Sequence, residues 1–175
     1  MNSKARTLVK AVLLVLAGID ELLTMFPVNY YQLNNWTEYK ERQRERWDRI
    51  IAKYGEKKID RVVKYSIDQG YVKRTNKGFT LSEKGWQKVA PDVCERLGRE
   101  RTKGPYKYMV IFDIPEEYRK SRDMLRKCVL SLGFKFFQRS VFITDSKRSF
   151  FMLEVVVKNC GLKKYTRFIE VKKMW

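Results

Sequence analysis

A lone carboxylate at the end of an apolar run marks the position in this sequence where a side chain could do chemistry. Tyr108–Phe112 (YMVIF) reads as a buried strand, Asp113 follows it directly, and Ile114 and Pro115 form a turn. A carboxylate at the tip of a strand can hold a metal ion against phosphate. The alternative is that the carboxylate is a remnant on a domain that now serves only for binding.

The charge of the chain indicates a polyanionic partner. The 175 residues include 38 Lys and Arg against 20 Asp and Glu, a formal net charge of +18. The excess is spread, since residues 41–104 contribute 18 basic and 10 acidic side chains and residues 105–175 contribute 16 and 7. A folded chain with this balance attracts polyanions through a field that does not depend on sequence. Nucleic acid is therefore favoured over a membrane surface or a role in solubility alone.

Composition excludes several enzyme classes. The chain has no His, which excludes Ser-His triads, His-ligated zinc and imidazole acid–base pairs. Cys94, Cys128 and Cys160 are more than thirty residues apart and form no CxxC pair, so neither a zinc ribbon nor a disulfide framework is indicated. Scattered thiols are typical of the reducing cytoplasm, where they serve as small apolar residues.

The N-terminal segment, residues 1–36, is predicted to contain an apolar helix and a linker. The run Ala11–Ile19 has no small-residue cleavage site behind it, and Asp20 and Glu21 come too early for a spanning helix. We therefore predict no membrane insertion. Because the helix is apolar nearly all round, it must be buried on several sides, in a core or against a second subunit. We interpret it as a dimer or interdomain helix.

Residues 37–92 alternate helical and strand patterns. A helix is predicted from Thr37 to about Tyr54, a short helix over 57–69, strands at 71–74 and 78–81, and a last helix capped by Ser82. The short helix has one apolar and one basic face. The apolar face is formed by Ile59, Val62, Val63 and Ile67.

This order of elements, with the segments GYVKR and GFTLSEKG, resembles the winged helix-turn-helix modules of bacterial transcription regulators. The resemblance implies that the helix at 57–69 enters the major groove of double-stranded DNA, while the hairpin (the wing) lies along the backbone or minor groove. A winged helix that binds only protein is the alternative. The candidates for base reading are Lys57, Lys58, Arg61, Lys64 and Tyr65. The candidates for phosphate and wing contacts are Lys73, Arg74 and Lys77.

A charged connector at 93–105 separates this module from a second domain at 106–175. The second domain reads as strand 107–113, helix 116–132, strands 134–138 and 140–144, helix 147–159 and strand 166–172. A β-α-β-β-α-β order predicts a ferredoxin-like sandwich, with helices on one face of an antiparallel sheet. The fold class of the whole chain is therefore α+β, and the open face of so small a sheet is expected to attract a partner.

Two segments of the second domain carry a family resemblance. VIFDIPEEYRKSRDMLRKCVLSLGF followed by FQRSVFI resembles the CRISPR-associated adaptation nuclease family (the second Cas protein), in which a strand ends in Asp-Ile and a later one reads Gln-x-Ser-Val-Phe. The same fold forms the C-terminal part of PaaX-like transcriptional repressors, behind a winged helix-turn-helix. The order of domains in this chain resembles that of a small PaaX-like regulator.

The resemblance implies a homodimer that forms through the ferredoxin-like domains, sheet against sheet. It also implies that the two copies of Asp113 lie near the dyad, where a nuclease of the family would hold Mg²⁺. Glu116, Glu117 and Asp123 could assist there, although acidic residues also suit the first turns of a helix.

We therefore expect a dimeric, cytoplasmic, sequence-specific repressor that binds double-stranded DNA and needs no cofactor. One alternative is a Mg²⁺-dependent nuclease centred on Asp113. The other is a non-catalytic scaffold in a CRISPR complex, which would bind DNA weakly and without sequence preference.

Overall fold

The chain forms two compact units, Met1–Gly85 and Trp86–Trp175. The structure is a computed structural model that describes residues 3–17, 36–76, 78–98 and 107–171. The division at 85/86 lies upstream of the domain boundary predicted at 92/93. The predicted first segment, 1–36, is described only in part, because residues 18–35 are outside the described ranges.

Three helices and a hairpin make up the described part of the first unit. They are helices α1 (Ser3–Leu16), α2 (Trp36–Tyr54) and α3 (Glu56–Asp68), and strands β1 (Val72–Thr75) and β2 (Gly78–Leu81). The strands pair antiparallel. The predicted helix 37–54, helix 57–69 and two short strands thus appear within about one or two residues of their predicted limits.

Helix α1 lies in the core of the first unit. Leu8, Val12 and Leu13 are almost fully buried, and the helix contacts α2, α3 and β2. The interpretation of α1 as a dimer or interdomain helix is therefore corrected for its described residues. The helix is apolar nearly all round because several elements of its own unit surround it.

Helix α4 (Glu83–Leu97) follows the hairpin, and the division between the units falls within it. Its start is capped as predicted, since the Ser82 hydroxyl accepts a hydrogen bond from the Gly85 amide at 3.1 Å. In the second unit α4 buries Val93, Cys94 and Leu97. The predicted connector, 93–105, therefore starts inside a buried helix, and residues 99–106 of it lie outside the described part.

The rest of the second unit has the predicted β-α-β-β-α-β order. Its elements are β3 (Lys107–Phe112), α5 (Arg119–Ser131), β4 (Lys135–Gln138), β5 (Val141–Thr144), α6 (Lys147–Asn159) and β6 (Thr166–Val171). The sheet has the antiparallel order β4-β5-β3-β6. This is the ferredoxin-like arrangement, and the α+β fold class is confirmed.

Alternation along β3 separates the two faces of this sheet. Tyr108, Val110 and Phe112 are buried on the helix side, where the rings of Tyr108 and Phe150 of α6 lie 4.9 Å apart. Met109 and Ile111 point to the other face and are only half-buried. Among the described helices of the chain, none is both long and apolar enough to cross a membrane.

Candidate nucleic-acid interface

Helix α3 is held by a narrow apolar stripe. Ile59 and Ser66 are buried, while Val62 and Val63 are half-buried beside them. Ile67, which the sequence assigns to the same apolar face, is 37% exposed, so that assignment is wrong. At 100° per residue, position 67 lies on the flank of the stripe rather than at its centre. Most of the circumference of α3 therefore remains free.

The outward face of α3 is basic at its centre. Lys57, Arg61 and Lys64 lie at i, i+4 and i+7, so they share one stripe opposite Ile59 and Ser66. Lys58 and Tyr65 lie together at one side of the stripe, and Tyr65 is 38% exposed. All five predicted base-reading residues are thus exposed on α3.

Acidic residues lie beside this basic stripe and at its end. Glu56, Asp60 and Asp68 are exposed on the same helix, so its net charge is small. Non-specific binding to nucleic acid would favour an uninterrupted row of lysines, because each phosphate contact adds to the affinity regardless of the base sequence. The mixed face is better suited to a helix that discriminates among base edges, where a misplaced acid excludes wrong partners.

A tight turn joins α3 to the hairpin. Gly70 adopts φ 70°, and the amide of Tyr71 donates to the Ser66 carbonyl at 2.9 Å, which ends the helix in a Schellman-type cap. The Ser82 hydroxyl donates back to the Gly70 carbonyl at 2.6 Å. The end of α3 and the base of the hairpin are therefore fixed to each other.

The hairpin projects with its base buried and its tip exposed. Val72 and Leu81 pair directly and are buried at 3% and 7% exposure. Beyond them Lys73 pairs with Thr80 and Arg74 with Phe79, and all four are exposed. Lys73 and Arg74 thus occupy the predicted wing, whereas Lys77 lies outside the described residues.

Two residues that sequence reasoning missed belong to this region. Phe79 is 46% exposed next to Arg74, an unusual place for a large aromatic side chain. Lys84 braces the end of α3, because its ammonium donates to the Gln69 carbonyl at 2.9 Å and lies 5.1 Å from the centre of the Tyr71 ring. The signal for Phe79 was its alternation with Leu81 along the strand.

The predicted metal site has one exposed carboxylate at its centre. Asp113 follows the central strand β3, and its amide donates to the Tyr165 carbonyl at 2.9 Å. Glu116 accepts a hydrogen bond from Arg122 at 2.5 Å, and Asp123 lies 4.0 Å from Arg119. The described part of the chain contains no group of three or more acidic or thiol side chains that could hold a metal. Within the described residues, a single chain therefore does not supply the several oxygen ligands that a Mg²⁺ ion prefers.

Tyr165 lies next to Asp113, and Tyr118 and Lys164 contact the Tyr165 ring. The rings of Tyr118 and Tyr165 are 5.7 Å apart, and the hydrogen bond to Tyr165 raises the pKa of Tyr118 above its ordinary value. Lys164 lies 4.7 Å from the centre of the Tyr165 ring, and its pKa is raised by its hydrogen bond to Tyr165. At neutral pH this corner consequently presents a protonated Tyr118 and a lysine cation.

Comparison with known proteins identifies the second unit. Residues 108–174 match the family model described as the PaaX protein central Cas2-like domain. The predicted resemblance to the PaaX-like family, with its ferredoxin-like domain of the CRISPR adaptation type, is confirmed over this range. Neither the curated proteins nor the solved structures gave a match.

Proposed function

We propose that this chain, whose C-terminal unit is a Cas2-like domain of the PaaX type, is a dimeric transcriptional repressor that binds double-stranded DNA with sequence specificity. The match of residues 108–174 to the PaaX family model suggests a regulator. The first unit would be the winged helix-turn-helix that reads the operator, and the second unit would join two copies.

The observation that supports DNA reading is the exposed stripe Lys57, Arg61 and Lys64, together with the basic hairpin to which α3 is fixed. Helix α3 has 13 residues and is about 20 Å long. A helix with its side chains is about 10–12 Å across, which fits the major groove of about 12 Å width. Arg61 and Lys64 lie at the centre of the stripe, where side chains would reach base edges. Lys57 and Lys58 at the helix N-terminus would contact the backbone or the first bases.

The observation that supports pairing is the second face of the C-terminal sheet. Met109, Ile111 and Ile143 are half-buried on it, and Ile169, which pairs with Met109, is 40% exposed. Apolar side chains in one row across three strands are typical of a face that a second sheet covers. A dyad through this face would present two copies of α3 to two half-sites.

The central test is charge reversal on α3. The double variant Arg61→Glu with Lys64→Glu should lose sequence-specific binding, with an affinity at least about 100-fold lower in a gel-shift assay at fixed salt. Both side chains are exposed, so the thermal unfolding of the variant should match that of the parent protein.

A matched control separates base reading from overall charge. Arg126 and Lys127 are exposed on α5 in the other unit, and reversing both makes the same change in net charge. That control should bind its operator with an affinity close to that of the parent protein. If the α3 variant binds as tightly as the control, α3 is not the recognition helix.

A further inference from the structure

Helices α4 and α5 approach each other closely where each carries a buried cysteine. A Cβ on Gly98, directly after α4, would lie 1.7 Å from the Ser131 carbonyl oxygen at the end of α5. The Gly98 amide donates to the Cys94 carbonyl at 2.8 Å, so Cys94 lies one helical turn before this approach. Cys128 lies about one turn before Ser131 on α5. The two thiols meet there and share a hydrogen bond.

A third sulfur lies beside the two thiols. Met124 precedes Cys128 by four residues, so both side chains lie on one face of α5, and the Cys128 Sγ is 3.6 Å from the Met124 Sδ. We call Cys94, Cys128 and Met124 the three-sulfur group. Both thiols have no exposed surface, whereas Met124 is 8% exposed. Solvent therefore reaches this group at the thioether.

The ligand types in the three-sulfur group select a soft metal ion. Thiolate and thioether sulfurs favour Cu(I), whereas Mg²⁺ and Ca²⁺ take oxygen ligands. A structural Zn²⁺ site takes four Cys, His or carboxylate ligands. The chain has no His, and its described residues contain no group of three or more Cys, Asp and Glu side chains that could hold a metal. Two cysteines with a methionine therefore suit Cu(I) better than Zn²⁺.

The spacing of the sulfurs is close to what one bound ion requires. Three sulfurs at about 2.3 Å from a metal in a trigonal plane lie about 4 Å from one another. The distance of 3.6 Å between Cys128 Sγ and Met124 Sδ is only slightly shorter. Small rotamer adjustments of these side chains would accommodate the ion, with α4 and α5 remaining packed together.

We propose that the three-sulfur group binds one Cu(I) ion between α4 and α5, through the thiolates of Cys94 and Cys128 and the thioether of Met124. The inference goes beyond the proposed function and does not depend on it. On binding, two S–H bonds break, three Cu–S bonds form, two protons leave to solvent and no electron is transferred. The bound group then carries one negative charge. The basic balance of residues 105–175, with 16 basic and 7 acidic side chains, offsets this charge.

Proton displacement makes the binding dependent on pH. The hydrogen bond with Cys94, with burial, raises the pKa of the Cys128 thiol, so the metal-free thiol is protonated at neutral pH. A bound ion must replace that proton, and only a metal with high affinity for thiolate does so. The affinity for Cu(I) should therefore fall as the pH is lowered.

Anaerobic titration of the reduced full-length protein with Cu(I), in competition with a chromophoric Cu(I) chelator, tests this inference. One ion per chain should bind tightly, with near-ultraviolet absorption from thiolate-to-copper charge transfer and with release of two protons. X-ray absorption should find three sulfur ligands at about 2.3 Å. Loss of an outer-shell partner costs about 10–100-fold in metal affinity, so Cys94→Ala or Cys128→Ala, which removes a ligand, should cost more than about 100-fold.

Cys160→Ala is the matched control, since it removes a buried thiol of the same unit at the end of α6, outside α4 and α5. It should bind Cu(I) like the parent protein, and Cu(I) should raise the thermal midpoint of both. An equal loss in Cys160→Ala and Cys94→Ala, or tight binding that survives in Cys94→Ala with Cys128→Ala, would overturn the site.

Met124→Leu decides the case if the cysteine variants do not fold, because it keeps the apolar volume of the side chain. It should bind one ion more weakly, and X-ray absorption should then count two sulfur ligands. A count of three in Met124→Leu, or no tight binding by the parent protein, would overturn the inference. None of these measurements involves DNA, so a failure of the proposed function would leave the site untouched.

Discussion

The sequence suggests that Glu116 could assist a metal site at Asp113, but in the structure its carboxylate pairs with an arginine. Its carboxylate accepts a hydrogen bond from Arg122, and this bond, followed by the Arg122 charge, holds the pKa of Glu116 below its usual value. Because the pKa of Glu116 is lower in the folded protein than in the unfolded chain, the interaction stabilises the fold at a pH above the unfolded-state pKa. This stabilisation is lost as the pH falls through the folded-state pKa. At neutral pH the Glu116 carboxylate is therefore charged and accepts the hydrogen bond from Arg122.

Asp113 itself gives a prediction at the residue scale. Because α3 and the hairpin make the DNA contacts in the proposed function, Asp113→Ala should change operator affinity by less than about twofold, and added Mg²⁺ should not be required. Asp145→Ala, which removes another exposed carboxylate of the same unit, is the control. Gel shifts and cleavage assays with Mg²⁺ or Mn²⁺ check both points. DNA cleavage that disappears only in Asp113→Ala would instead establish the nuclease alternative.

At the scale of the elements, helix α4 is joined to the second unit by side-chain hydrogen bonds. Gln87 donates to the Cys160 carbonyl at 2.9 Å and accepts from the Ser121 hydroxyl at 3.2 Å, so α4 adds a third helix to the helical side of the sheet. The thiols of Cys94 and Cys128 are fully buried. The hydrogen bond with Cys94, with burial, raises the pKa of the Cys128 thiol well above its ordinary value. The Cys128 thiol therefore stays neutral, and both buried side chains serve as small apolar residues.

Gly98, just after α4, gives the prediction at this scale. A Cβ on Gly98 would lie 1.7 Å from the Ser131 carbonyl oxygen, so an alanine forces α4 and the end of α5 apart. Gly98→Ala should lower the free energy of unfolding by about 1–3 kcal/mol, measured by urea denaturation. Glu95→Ala, an exposed change in the same helix, should have little effect. An unchanged midpoint in Gly98→Ala would show that these backbones do not approach so closely.

The sequence predicts the positions of the helices and strands better than it predicts which of their side chains are buried by the rest of the chain. Apolar periodicity, Gly70 and the Ser82 cap locate α3, the hairpin and the start of α4, because these signals are local. The exposure of Phe79 and the packing of α4 depend on distant parts of the chain, and periodicity alone does not contain them. For the site, residue types and spacing predicted the basic face of α3. Pairing of Glu116 with Arg122, six residues apart, needed the three-dimensional structure.

At the scale of the whole molecule, the two units expose two different kinds of surface. The first unit exposes the mixed face of α3 and a hairpin without acids, and the second exposes an apolar sheet face. A helix with so small a net charge gains only modest affinity from one duplex contact. Two linked copies gain more, because binding at one half-site raises the effective concentration at the other. In the proposed function, sequence-specific binding therefore depends on pairing.

Pairing gives the prediction at this scale. Two copies of α3 related by a dyad require half-sites on one side of the duplex, separated by a multiple of about 10.5 base pairs. Inserting about 5 base pairs between the half-sites turns one of them away and should weaken binding roughly 100-fold, whereas about 10 restore the facing and part of the affinity. Equal insertions outside the operator are the control. Sedimentation should find two chains per duplex. One chain per duplex, or an affinity indifferent to the 5-base-pair insertion, would contradict the dimeric repressor.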